Sequence, residues 1–477
     1  MQPSAHKIFS NTVWQGILRI VEIILGVITL GLITRYLSPD GFGSYTTINA
    51  LLQFFIIVID FGLYLTLLRE ISANPPDRIE PITNNIVTMR ALSTALLLCL
   101  AVLLISLTSY PMDIKLGMAS LATAYFFTSL ISTLTALFQR SLQMVKIATL
   151  NVITKVVLLG CVIFIQTRDL GLQSILLASS LSSAISFLLL WRLLATLPSP
   201  VRLRFRFDWA YWREVLGKTW PLAVTTALNL VYFKADTIIL SAFRSSAEVG
   251  IYGAGYRVLE ILTTFPHMFM GLILPVLTAA WVARDYGKLN RVWEKAFTFF
   301  ALLTLPLIAG ALVVATPIMV LIAGSEFAAS GNILKLLLLA TSLIFFGTLY
   351  TYTVLVIEEQ RRIIKYFLAT AIISLAGYLI LIPKFGYWGA AGMTIGSEAL
   401  IILGAWLTVR PHLKLSIPWG VAGKLALASA LMGLYTYAAQ HTLPLIPLVA
   451  TSALVYGGLV LLLRAVSLQE LKGLIKS

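Results

Sequence analysis

Apolar residues in this chain neither alternate nor recur at the spacing of a half-buried helix. They come in long runs broken by short polar stretches. Fourteen runs can be drawn, near residues 12–35, 43–67, 84–108, 117–138, 147–166, 171–195, 218–240, 250–280, 296–323, 331–357, 363–383, 387–409, 419–439 and 445–464. A helix of about 20 apolar residues spans the hydrocarbon of a bilayer, whereas a barrel strand alternates over about 10. The pattern predicts an all-α integral membrane protein of about fourteen transmembrane helices. The first run is too long for the apolar core of a secretion signal and lacks a small-residue cleavage site, so it is expected to stay as the first span.

Charge gives the runs a direction. With the N-terminus placed in the cytoplasm, 24 of the 35 Lys and Arg fall in inside segments and the helix ends flanking them; five fall outside and six within spans. Cytoplasmic loops of membrane proteins carry such an excess. One missed span would invert the pattern downstream, so both ends are expected in the cytoplasm of a multi-pass bacterial plasma (inner) membrane protein. Composition agrees: 59% of the 477 residues are hydrophobic and 12% charged, against about 25% charged in a soluble domain. The net charge of +15 is therefore read as orientation bias, and nucleic acid is not expected as a partner. Cys99 and Cys161 fall inside apolar runs and the four histidines are scattered, so neither a disulfide framework nor a metal site is predicted.

The longest break separates the sixth and seventh runs. It reads Val201-Arg202-Leu203-Arg204-Phe205-Arg206-Phe207, followed by Trp209 and Trp212. Cations and aromatic rings both settle in the headgroup zone, so the stretch is read as an interfacial linker, with an anionic-lipid site as the alternative. A weak repeat divides the chain there. Gly43-Ser44-Tyr45 recurs as Gly250-Ile251-Tyr252, an offset of 207 residues spanning six helices. An even number of helices leaves both halves pointing the same way, a parallel repeat about an axis along the membrane normal. The expected organisation is a six-helix lobe at 1–196, the linker at 197–217, a second six-helix lobe at 218–410, and helices 13 and 14 with a cytoplasmic tail at 411–477.

Ionisable groups inside a bilayer are costly and mark function by default. Here they fall on helical stripes: Asn11, Gln15, Arg19 and Glu22 in the first run; Thr46, Asn49, Gln53 and Asp60 in the second; Thr225, Asn229, Tyr232 and Asp236 in the seventh; Tyr252, Tyr256, Glu260 and Thr263 in the eighth, with Arg257 beside them. Asn151 and Lys155 share a face of the fifth run, and Glu398 lies mid-way along the twelfth. If the opening helix pairs of the two halves face each other, the stripes line one polar cavity. Its basic members would be Arg19, Lys155, Lys234 and Arg257, with Gln15, Asn229 and Tyr256 as further substrate contacts. Glu22, Asp60, Asp236, Glu260 and Glu398 are coupling or gating candidates. Each has a plainer reading. Arg19 with Glu22, and Arg257 with Glu260, are spaced as neutralising i, i+3 pairs. Lys155 has the option of a partner within its own lobe, and Asp60 that of a helix cap. Lys234, Lys335 and Arg90 lie near helix ends, where a long side chain can snorkel. No nucleotide loop, nucleophile elbow or zinc-protease signature is present, so an ATP-driven pump and the common hydrolases are not expected.

The segment Arg35-Tyr36-Leu37-Ser38-Pro39-Asp40-Gly41-Phe42-Gly43-Ser44-Tyr45 resembles the first loop of bacterial polysaccharide and O-antigen flippases of the multidrug/oligosaccharidyl-lipid/polysaccharide exporter superfamily, with Ser38 where that family carries glycine. The resemblance continues through Asp60-Phe61-Gly62-Leu63, Arg69-Glu70, Asp236-Thr237-Ile238-Ile239-Leu240, Glu248-Val249-Gly250-Ile251-Tyr252 and residues 383–392. It implies a fold related to multidrug (MATE) exporters and lipid II flippases. It also implies transport, by alternating access through a cationic cavity, of oligosaccharide linked to undecaprenyl pyrophosphate. Lipid II flippases carry cavity arginines on their first and eighth helices, the helices that hold Arg19 and Arg257 here. Membrane lipids, a polysaccharide polymerase and glycosyltransferases are the implied partners. No cofactor is expected; Na⁺ or H⁺ coupling through the acidic residues, or the membrane potential acting on an anionic cargo, would drive turnover. Two alternatives stand. A cation-coupled drug exporter shares the plan, but its cavity should be acidic and its helices usually number twelve. A membrane glycan polymerase or ligase usually carries a large external loop, and no outside loop here is large.

Overall fold

Ser38 and Pro39 break the first helix without a loop. A computed structural model describes residues 5–60 and 62–466, with side chains described for all of these except residues 5–13, 56–60, 218 and 220–233. Helix α1 (Ala5–Asp60) holds the first two predicted runs, joined at Ser38, whose φ of 57° and ψ of 176° are not helical. A residue before proline is pushed toward extended ψ, and proline is well placed to open a helix because its missing N–H needs no partner there. The polar stretch at 36–42, expected as a loop, is therefore helical on either side of one residue. The second run ends sooner than its hydropathy suggests. Gly62, at φ 66°, stands between α1 and the short α2 (Leu63–Ala73), a left-handed conformation that glycine adopts at little cost.

Twelve helices follow: α3 (Pro76–Ser106), α4 (Met112–Arg140), α5 (Met144–Arg168), α6 (Gly171–Leu194), α7 (Trp209–Phe243), α8 (Ser246–Val282), α9 (Tyr286–Ala323), α10 (Ala328–Val356), α11 (Gln360–Phe385), α12 (Tyr387–Val409), α13 (Trp419–Ala439) and α14 (Leu445–Leu462). Among the described residues there is no strand, as predicted. Among the described residues, eleven helical stretches are long and apolar enough to cross a membrane, one of them covering both halves of α1. Large apolar side chains stand exposed along most helices, for example Leu96 (70%), Leu272 (72%) and Leu454 (75%). On a soluble protein such faces would aggregate; here they are the faces offered to lipid.

Packing groups residues 1–250 and 251–477 as two units. In the first, one end of the core joins Leu67, Ile86, Phe138, Leu190 and Trp212, and a second cluster joins Ile48 and Leu52 of α1 to Leu98, Met118 and Leu176. In the second, Trp293, Phe300, Phe345 and Tyr350 build an aromatic centre among α8, α9, α10 and α12. Helices α13 and α14 pack on α9 through Leu425, Ala428 and Val460 against Ala301. Lipid removes much of the hydrophobic drive between helices, so close approach and hydrogen bonds carry more of the association. The closest approach lies between the second half of α1 and the first turn of α8. A Cβ on Gly43 would lie 1.7 Å from the Ser246 carbonyl oxygen, and one on Gly250 would lie 2.0 Å from the Pro39 carbonyl oxygen. Polar ties at the helix ends include Gln166 Nε2 donating to the Leu32 carbonyl at 2.7 Å and Tyr36 Oη donating to Asp169 at 3.0 Å.

Candidate functional site

In the first unit the candidate groups line up on α1. Gln15, Arg19 and Glu22 are all half-buried, and Arg19 Nη1 lies 2.9 Å from Glu22 Oε2. One helical turn separates the two, so the backbone alone brings the guanidinium to the carboxylate. The Arg19 side chain keeps 40% of its surface exposed and Glu22 only 17%; the cation is the outward member of the pair. Asp236 is almost wholly buried on α7 and accepts from the Thr237 N–H and from Thr237 Oγ1, the latter at 3.1 Å. Lys234 and Lys155 are half-buried, on α7 and α5. The side chains of Asp60 and Asn229 lie outside the described ones, as does that of Asn11.

The second unit repeats the motif. Arg257 Nη1 lies 2.8 Å from Glu260 Oε2 on α8, the two side chains 29% and 23% exposed. One face of the same helix carries Tyr252 and Tyr256, both buried, their rings 5.5 Å apart. Tyr252 Oη is 3.5 Å and Tyr378 Oη of α11 is 3.3 Å from Thr394 Oγ1 of α12. One turn beyond Thr394 on α12 lies Glu398, 4% exposed. The second unit thus gathers three tyrosines, a threonine and a carboxyl in its interior. Tyr378 and Thr394 were not singled out from sequence, although Thr394 precedes Glu398 by four and so shares its face.

Arg90 corrects an expectation. It does not snorkel: the side chain is 2% exposed, and its Nε donates to Ser129 Oγ of α4 at 2.5 Å, with Thr94 Oγ1 3.0 Å from the same hydroxyl. The signal was the run of small polar residues around it, Asn84, Asn85, Thr88 and Thr94, all buried on α3. Lys335, the other residue placed near a helix end, is half-buried and donates to Asn332 Oδ1 at 3.1 Å.

The fold is similar to those of solved membrane transporters. A lipid II flippase in an inward closed conformation aligns with a TM-score of 0.76 at 15% identity, over 95% of this chain and 99% of the other. An inward-facing multidrug resistance transporter of the MATE family aligns at 0.63, also with 15% identity, over 83% and 94%. Sequence carries the assignment further. A family model described as "Polysaccharide biosynthesis protein" matches residues 8–281, and the chain belongs to that family. It is 23% identical over 422 residues to the "Probable low-salt glycan biosynthesis flippase" of Haloferax volcanii, 86% of each chain being covered. The resemblance first read from residues 35–45 therefore holds at the level of family and fold.

Proposed function

We propose that this protein is a flippase that carries oligosaccharide linked to undecaprenyl pyrophosphate from the cytoplasmic to the outer leaflet by alternating access. The observation that supports it most is the family match, which begins before the first span and runs through α8; a curated flippase of glycan biosynthesis is similar over most of its length. Physics supports the cargo class. A pyrophosphate cannot cross hydrocarbon bare, because an unpaired charge there costs many kcal/mol. Arginine offers such a group a planar fork of donors, and two arginines, Arg19 and Arg257, stand within spans with a carboxylate beside each. On this reading Arg19, Arg257, Lys155 and Lys234, with Gln15, Asn229 and Tyr256, line a polar, partly cationic path. The glycan rides in it while the polyprenyl tail stays in lipid. Glu22, Asp60, Asp236, Glu260 and Glu398 are the groups through which Na⁺ or H⁺ would couple; of these Asp236 (1% exposed) and Glu398 (4%) are the most secluded among the described side chains. The fold is shared with multidrug exporters, so the test must separate the two cargoes. Purified protein in vesicles is given a pyrophosphate-linked glycan bearing a fluorophore on the sugar, and an impermeant quencher reports the exposed leaflet. Translocation of the glycolipid, with no uptake of cationic dyes, is expected; dye uptake without glycolipid movement would reverse the assignment.

A further inference from the structure

The two units share a device that hydropathy does not reveal. In the first, the extended stretch after α6 lies along α3, and one asparagine holds it. Asn84 Nδ2 donates to the Arg202 carbonyl at 3.0 Å, and Asn84 Oδ1 accepts from the Arg204 N–H at 3.1 Å; a turn further on, Thr88 Oγ1 accepts from the Arg206 N–H at 3.1 Å. The carboxamide pairs with the chain as a neighbouring strand would. In the second unit, the stretch after α12 lies along α9. Asn290 Oδ1 accepts from the Ser416 N–H at 3.0 Å, and its Nδ2 donates to Ser416 Oγ at 2.7 Å. Aligned on the clamped N–H groups, Val201 and Leu203 correspond to Leu413 and Leu415, and all four pack on the cores of their units.

The duplicate serves as a control on the first copy. Where the first strap has Arg202, Arg204 and Arg206, the second has Lys414, Ser416 and Pro418. The bonds on the first strap take main-chain atoms only, so holding the strap does not require arginine. The three guanidinium groups are instead displayed: Arg202, Arg204 and Arg206 are all exposed. Between and after them Phe205, Phe207 and Trp209 stand 75%, 56% and 63% exposed, with Phe207 stacked on Trp209 at 6.4 Å. Arg213 adds a fourth cation; the acids nearby include Asp208, which accepts from the Tyr211 N–H at the start of α7, and Glu70 and Glu214, both within electrostatic reach of Tyr211. Cations alternating with exposed aromatic rings, next to membrane-spanning helices, match a headgroup layer: phosphates above, acyl chains below.

We propose that residues 202–209 form a docking strip for anionic phospholipid headgroups, held in the membrane plane by Asn84 and Thr88. The proposal does not depend on what the protein transports. It is tested on the full-length protein in phosphatidylcholine vesicles containing spin-labelled phosphatidylglycerol or spin-labelled phosphatidylcholine, the immobilised fraction of each being read by electron spin resonance. The wild type is expected to prefer the anionic lipid, and added salt to erode the preference. The triple variant R202Q/R204Q/R206Q should lower it by about twofold or more with the melting temperature unchanged, because the clamp reads the main chain. R202K/R204K/R206K should retain most of it and, should the glutamine variant fold poorly, its salt titration decides. Unchanged preference in the glutamine variant, or a preference indifferent to salt, would overturn the proposal. So would competition by inorganic pyrophosphate that abolishes immobilisation, which would assign the arginines to a free phosphate group instead.

Discussion

Gly43 and Gly250 each occupy the space that the other's helix needs: Gly43 lies against the Ser246 carbonyl, Gly250 against the Pro39 carbonyl. The repeat offset of 207 residues carries Gly43 onto Gly250 and Pro39 onto Ser246. The two contacts are therefore one contact, written twice by the internal symmetry. A short Gly-x-Tyr echo in the sequence has a packing reason: only glycine leaves room for the facing carbonyl.

Substituting either glycine by alanine should be severe. A Cβ at 1.7 or 2.0 Å from backbone oxygen forces the helices apart, and overpacking of this kind costs about 1–3 kcal/mol or more. Gly43→Ala and Gly250→Ala should each lower the melting temperature of the purified protein. Gly26→Ala, where no atom lies within 4 Å of the added carbon, should leave it unchanged or raise it slightly.

Removing the arginines tests the cargo path. Arg19→Ala and Arg257→Ala should each abolish glycan export while the protein remains in the membrane, read by surface glycan and by immunoblot of the membrane fraction. The partner carboxylates are held by their arginines at 2.9 and 2.8 Å, so Glu22→Gln and Glu260→Gln should be milder. Normal export in both arginine variants would remove them from the path.

Glu398 tests coupling. Glutamine has nearly the shape of the protonated carboxylic acid, so Glu398→Gln should fold normally at this 4%-exposed site and fix it in a neutral form. Transport in vesicles should then lose its dependence on an imposed Na⁺ or pH gradient. A gradient dependence equal to wild type would exclude this residue from coupling.

The straps can be tested by proteolysis. Asn84→Ala removes both bonds of its carboxamide, about 1–3 kcal/mol, and should speed tryptic cleavage at Arg202, Arg204 and Arg206. Asn290→Ala should leave those sites untouched and expose Lys414 instead. Equal cleavage in the two variants would show that the asparagines do not hold the straps.

Much of this was legible in sequence, for definable reasons. The spans follow from length and hydropathy, and the pairs Arg19–Glu22 and Arg257–Glu260 from the helical pitch, because each joins residues one turn apart on one helix. Arg90 was misjudged for the opposite reason. Whether an apolar helix turns a given face to lipid or to protein is not written in hydropathy when both surroundings are apolar, and its contact is with Ser129, on another helix. The loop expected at 36–42 collapsed to one residue because Pro39 opens a helix as readily as it ends one. The strap at 201–207 was visible through its arginines. Its counterpart, with one lysine, a serine and a proline, was not, since what the two share is one main-chain N–H held by an asparagine and two aliphatic side chains packed on the core.

A clamp that grips peptide groups is indifferent to the side chains it holds. Residues 202, 204 and 206 can therefore change without disturbing the helices around them, a freedom unusual for a segment fixed to a helix along its length. Descendants of this chain living in membranes of different lipid charge could retune those positions one at a time while the architecture stayed constant. Variation among relatives at these sites, set against constancy at Asn84, would record the chemistry of the membranes they inhabit.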